Sequence, residues 1–232
     1  MFEQLLQALN SKGLLSERDL SLLSALDIKS DAQFYSVLIA YLKDKEFIVA
    51  LCSAIGRSRY TSIKLNTEAL IPGLIRVLEH SDREIRLAAV EAIGLIDAWT
   101  ESERVYNIAL HDNSPEVRSV VCDAIGLWRN PKAVPTLSVI VADVNQPLNV
   151  RERAIEALGI TSEKSPHILL ELLKDPLPAI RYTTLVALHN INDVSSVPFV
   201  EPLLEDNTVI KSGLSIGDEA RSLLAHLRSK RM

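Results

Sequence analysis

Aromatic residues are scarce in this sequence. Four Phe, five Tyr and two Trp make up 5% of the 232 residues, against 47% apolar residues in all. That composition suits close-packed helices, in which Ala and Leu fill the interhelical space and few rings are needed. Cysteine is scarcer still: Cys52 and Cys122 each lie within an apolar helical segment, with neither a second Cys nor a His at ligand spacing. This excludes a disulfide framework and a zinc motif, and leaves two small core residues. Basic residues are not in excess, with 25 Lys and Arg against 30 Asp and Glu. Such a balance disfavours nucleic acid as a partner. No apolar run approaches the roughly 20 residues that span a bilayer, so membrane insertion is not expected. The start, MFEQLLQALNSKG, has no basic region followed by an apolar core, and a cytoplasmic location is expected.

The signatures of catalysis are missing as well. There is no HExxH, no Gly-rich phosphate loop and no nucleophile elbow. The histidines at 80, 111, 167, 189 and 226 are scattered, and His80 and His111, near equivalent turns, read as solvent-facing turn residues. The expectation is that there are no catalytic residues, no cofactors and no metal ligands.

What is present is a repeated phrase: a β-branched residue, an Arg, five spacers, Ala, Ile or Leu, and Gly. It occurs as Ile85-Arg86…Ala92-Ile93-Gly94, Val117-Arg118…Ala124-Ile125-Gly126 and Val150-Arg151…Ala157-Leu158-Gly159. A fourth copy, Ile180-Arg181…Ala187-Leu188-His189, replaces the Gly. The arginines step by 32, 33 and 30 residues. A fixed period of this size is the mark of a solenoid, whose units bury their apolar faces against one another.

Residues 1–30 lack the phrase and read as an N-terminal helical cap. Residues 31–192 form the repeats, the first of them degenerate because Ile48 stands where Arg is expected. The polar stretch 57–67 is a longer connection than the later repeats have, and a candidate functional loop. From Glu68 each unit is a hairpin of helix A and helix B. Ser81 with Glu84 reads as a capping box, and Ser114-Pro115, Asn130-Pro131 and Asp175-Pro176 as cap or turn signals. The turn ADVNQPLN carries two extra residues. Residues 193–232 read as an atypical C-terminal repeat and cap, with Asp193 and Pro198 opening a final A helix through Phe199, Val200, Leu203 and Leu204. After Arg221 the sequence has no acid, and its cations suit a helix C-terminus.

These phrases resemble HEAT repeats of the short type called PBS-lyase HEAT-like repeats. The likeness is strongest from Asp112 through Val117-Arg118 and Ala124-Ile125-Gly126 to Asn130-Pro131, and covers about residues 31–228. It implies an all-α, right-handed superhelical α-solenoid of HEAT-like helical hairpins. It also implies a structural ladder, in which the turn Asp and the arginine six residues later form hydrogen bonds and ion pairs between adjacent repeats. Asp112/Arg118 and Asp175/Arg181 have that spacing, His80 stands in place of the acid before Arg86, and Asp143 lies eight residues before Arg151. Among enzymes of similar repeats, the iron-dependent deoxyhypusine hydroxylases use His-Glu pairs, and no His-Glu dipeptide occurs here. The alkylpurine DNA glycosylases require a basic concave face with exposed aromatics, which the acidic balance opposes. Phycobilin lyases of the E/F type are the alternative function.

One surface pattern is ordered. Five residues after the arginines come Glu91, Asp123, Glu156 and Val186, at positions that helical spacing turns outward. One residue after the arginines come Leu87, Ser119, Glu152 and Tyr182. The resemblance puts B helices on the inner curve of the solenoid, so Glu91, Asp123 and Glu156 would make an acidic row there, with Leu87, Glu152 and Tyr182 adding contact. The expected function is a non-catalytic protein-protein interaction scaffold or adaptor, its partner a basic or amphipathic segment of another protein.

Overall fold

A computed structural model describes residues 45–57, 67–96, 102–210 and 213–229. The expected N-terminal cap at 1–30 and nearly all of the 57–67 connection lie outside them. Among the described residues the chain is helical, with one isolated antiparallel bridge between Val209 and Ser215. The helices are α1 (Lys45–Arg57), α2 (Thr67–Val77), α3 (Arg83–Leu95), α4 (Ser102–His111) and α5 (Pro115–Trp128). They continue as α6 (Val134–Ala142), α7 (Leu148–Thr161), α8 (His167–Leu172), α9 (Pro178–Ile191), α10 (Val197–Val200) and α11 (Ile216–Ser229). The chain divides into two compact units, 1–124 and 125–232.

In each unit, helix A and helix B of a hairpin close over an aliphatic core. The first unit buries Ile48, Leu51, Ile55, Leu70, Leu74, Ile85 and Ile93, and the second Ile125, Leu137, Ile140, Ile155 and Leu188. The repeated phrase has a packing meaning. The Gly that ends one copy lies against the Ala of the next B helix. A Cβ on Gly56 would come within 3.3 Å of Ala92 Cα, one on Gly126 within 3.4 Å of Ala157 Cα, and one on Gly159 within 2.7 Å of Ala187 Cα. Small residues at both ends of the phrase thus let successive B helices approach closely. Where His189 replaces the Gly, its ring instead meets that of His226 on α11, with centroids 4.5 Å apart.

Cys52 and Cys122 are fully buried, and burial pushes both thiols up to about 12. Several local expectations need correction. The cap of α3 is Asp82, whose carboxylate accepts from Glu84 N–H at 2.8 Å; Ser81 gives its carbonyl to Arg86 instead. Asn130-Pro131 opens first a 3₁₀ turn, Pro131–Ala133, and only then α6. The final A helix is broken into a 3₁₀ turn, the four-residue α10 and a second 3₁₀ turn, Glu201–Glu205, with Pro202 near the start of the last. Phe199, expected in its core, is 43% exposed. Arg228 near the end of α11 pairs with Glu201 at 2.8 Å, an exposed contact.

Candidate binding site

The turn between helix A and helix B is built alike in successive hairpins. An acceptor side chain takes the N–H two residues on, as Asp112 does from Ser114 (2.8 Å), Asp143 from Asn145 (3.0 Å), Asp175 from Leu177 (2.9 Å) and Asp206 from Thr208 (3.0 Å). His80 fills this role through Nδ1, accepting from Asp82 N–H at 3.0 Å. Asx turns of this kind satisfy a backbone donor that the helix start leaves over.

The arginines use these turns differently from the six-residue reading. Arg118 donates to the carbonyl of Asp112, and Arg181 to those of Asp175 and Pro176. The carboxylates go instead to the arginine of the preceding hairpin. Arg86 Nε and Nη2 hold both oxygens of Asp112 at 2.8 and 2.9 Å, Arg151 Nη2 holds Asp175 at 2.7 Å, and Arg181 Nε holds Asp206 at 3.0 Å. The reason is geometric: an Asp engaged with its own turn presents its outer oxygen to the neighbouring repeat, while six residues bring a guanidinium back over the turn's carbonyls. In the longer turn Arg151 reaches past Asp143 to Val141 O at 3.0 Å. Burial alone would raise the Asp206 carboxyl, but the hydrogen bonds from Thr208 and Arg181 outweigh it and hold the group below the usual carboxylate range.

Sequence reasoning missed one substitute. At the degenerate repeat, where Ile48 replaces the arginine, Lys45 at the start of α1 reaches Asp82 at 3.1 Å and Glu84 at 2.7 Å. The displacement by three residues, nearly one helical turn, hid it from a search for the phrase.

The outward positions lie as follows. In the first unit Glu91 on α3 and Asp123 on α5 are exposed, and Leu87 is half-buried. In the second unit Glu156 on α7 is half-exposed and bonded to Arg153 at 2.9 Å. Glu152 and Tyr182 meet at a groove of about 480 Å³ over the first turns of α7 and α9. Its other lining residues are Leu148, Pro178, Ala179, Val209 and Ile210. Leu148 and Val209 are 41% and 65% exposed. The last two lining residues come from the stretch after α10, which the sequence shows as a polar connection and no more. Among the described residues no group of three or more His, Cys, Asp or Glu is placed to hold a metal ion. No helix there is long and apolar enough to cross a membrane.

A family model for HEAT repeats matches residues 102–167. The chain thus carries HEAT repeats over that stretch. A curated relative, the 26S proteasome regulatory subunit RPN2 of Eremothecium gossypii, is 28% identical over 127 residues. That stretch is 50% of this chain and 14% of RPN2, so the chain matches only a small part of that relative's length. Among solved structures, YibA of Escherichia coli has a TM-score of 0.56 at 17% identity, over 97% of this chain and 92% of that one. An engineered protein has a TM-score of 0.55 at 18% identity, over 97% of this chain and 68% of its own. At these identities the likeness concerns the fold, an all-α array of helical hairpins on which sites are grafted.

Proposed function

We propose that this HEAT-repeat chain is a non-catalytic scaffold or adaptor that holds a segment of another protein, with the groove over α7 and α9 as its anchor point. The groove itself carries the reading. It is mostly apolar, it is open, and its walls include an aromatic ring with a polar tip and a carboxylate. Apolar clefts with a few placed polar groups take side-chain anchors, and Tyr is well suited to such contacts. Glu152 gives the site a preference for a partner that sets Lys or Arg beside its apolar anchor. Glu156 one turn along α7, and Glu91 and Asp123 in the first unit, give the B helices further acids for a basic or amphipathic segment. RPN2 is a regulatory subunit of a proteasome, and work within a protein assembly is in keeping with this reading.

The test is affinity capture from the native organism with mass spectrometry. Wild type is compared with a Glu152→Lys/Tyr182→Ala variant whose circular dichroism is unchanged. A protein recovered by the wild type and lost by the variant is the expected result. Recovery of the same proteins by both would defeat the reading.

A further inference from the structure

We infer that the segment held in this groove is extended and adds as a strand to the edge at Val209, an inference that rests on the scaffold reading above. The bridge between Val209 and Ser215 is made by two bonds that flank it, Ile210 N–H to Leu214 O at 2.9 Å and Ile216 N–H to Thr208 O at 3.1 Å. In an antiparallel pair of this wide type, the N–H and C=O of the paired residues themselves point away from the partner. Val209 therefore turns a donor and an acceptor to the outer edge, on a residue that lines the groove.

That edge is held in place. Asp206 accepts from Thr208 N–H and from Gly217 N–H through its backbone carbonyl at 2.9 Å, and Arg181 on α9 holds its carboxylate. At the far side Gly213, with φ of 83°, closes the turn by donating to Ile210 O at 2.9 Å. The edge and Tyr182 are thus tied to the same helix, and Val209 is presented beside the groove without further rearrangement.

Exposed strand edges are templates for pairing, which proteins usually blunt with charge, Pro or a cover. Here the edge residue is a Val beside Ile210, Leu148 and Tyr182. An occupant that filled the groove would also cover this edge. A helix has its own backbone bonds satisfied and would leave the Val209 groups buried without partners, at a cost. An extended segment satisfies both and sends alternate side chains to one face. One of these enters the groove, and a Lys or Arg two positions away on the same face meets Glu152.

The experiment is selection of a phage-displayed random peptide library on the full chain, followed by synthetic peptides of the enriched sequences. The expected consensus alternates apolar residues with period two and includes Lys or Arg. Methylating one backbone nitrogen, at the position paired with Val209, should weaken binding about tenfold, the loss of roughly one hydrogen bond with its partner left unmet. Methylating the next nitrogen should leave it near wild type. Val209→Pro removes the other donor of the pair, the N–H of Val209 itself, while keeping the bonds of Ile210 and Ile216, and should weaken binding by a similar factor; Val209→Thr keeps the donor and should not. Peptides with helical spacing that bind as helices, or binding indifferent to N-methylation at every position, would overturn the strand mode. The groove reading would then still stand if Glu152→Lys and Tyr182→Ala abolish capture. A library yielding no peptide sensitive to those two substitutions overturns both.

Discussion

Replacing Arg151 by Met should destabilise the second unit more than any change to an exposed ion pair in the array. The Arg151 and Asp175 side chains are 4% and 7% exposed, joined at 2.7 Å, with Arg151 Nε also on Val141 O at 3.0 Å. Met keeps most of the stem's packing, so the loss is electrostatic and hydrogen-bonding. Asp175 would keep the N–H of Leu177 on one oxygen but lose the cation on the other, and Val141 would lose a donor. Removing one partner of a buried pair costs about 3–5 kcal/mol, and the surviving bond to Leu177 argues for the lower end, about 3 kcal/mol. Lys45→Met, at the exposed pair with Asp82 and Glu84, provides the contrast and should shift the midpoint far less. Asp175→Asn made on top of Arg151→Met removes the stranded charge and should recover part of the loss, whereas the same change in the wild type should destabilise. Urea unfolding followed by far-UV circular dichroism gives the midpoints. Because repeat arrays can unfold in parts, hydrogen exchange in α7 and α9 should locate the effect there. An Arg151→Met midpoint no lower than that of Lys45→Met, or no relief from Asp175→Asn, would refute the argument that these pairs lock the repeats.

Gly159→Ala should destabilise by about 1–3 kcal/mol, since its Cβ would meet the Ala187 backbone at 2.7 Å, whereas Gly126→Ala, with 3.4 Å to Ala157, should be near neutral; thermal midpoints of the two variants check the contrast. Cys52 and Cys122, with thiols pushed up to about 12, should resist a thiol reagent at neutral pH until denaturant is added, and rapid labelling of the native protein would contradict their burial. Asp206 has a depressed carboxyl, so its contribution to stability is present above the unfolded value near 4 and is lost as pH falls through the lower folded value; Asp206→Asn should flatten that acid limb in a pH series of urea midpoints. Reversing Glu91, Asp123 and Glu156 together to Lys should leave folding within about 0.5 kcal/mol per site and weaken a basic partner's binding, with its salt dependence lost; unchanged affinity across a salt series would confine recognition to the groove.

The B helices were legible because each copy of the phrase carries both a local and a packing signal. Val117, Val121, Cys122 and Ile125 have helical spacing and are all buried, and Ala157 and Gly126 need to be small for the same close contact. The partner of each Asp was not legible. A carboxylate six residues before one arginine is also 24 to 26 residues after another, and spacing alone does not say which guanidinium it takes. Lys45 escaped because charge at a helix start can be displaced by a turn and still reach the same oxygens. Glu152 and Tyr182 stood out by position, but the groove they border depends on where Val209 and Ile210 fold back, which is decided by Asp206 holding both Thr208 and Gly217. No periodicity records such a return. Pro202 breaks the final A helix, since a proline in a helix interior removes a backbone donor.

The ladder also gives the array a direction. At three junctions an arginine of one B helix plugs into the Asp of the following turn: Arg86 into Asp112, Arg151 into Asp175 and Arg181 into Asp206. Among the described residues that plug is missing at α11, where Ile216-Gly217 occupies the place of Ile180-Arg181. Gly217 is pressed so close to the preceding loop that a Cβ there would sit 2.7 Å from Leu204 O, which leaves no room for a guanidinium stem. At the first described junction the plug is Ile48 and the socket His80, and a lysine has taken over from outside the frame. The pairing is thus lost at α11 and rebuilt by a lysine at α1, so the contact between neighbouring turns can change its partners without the helices around it changing their order.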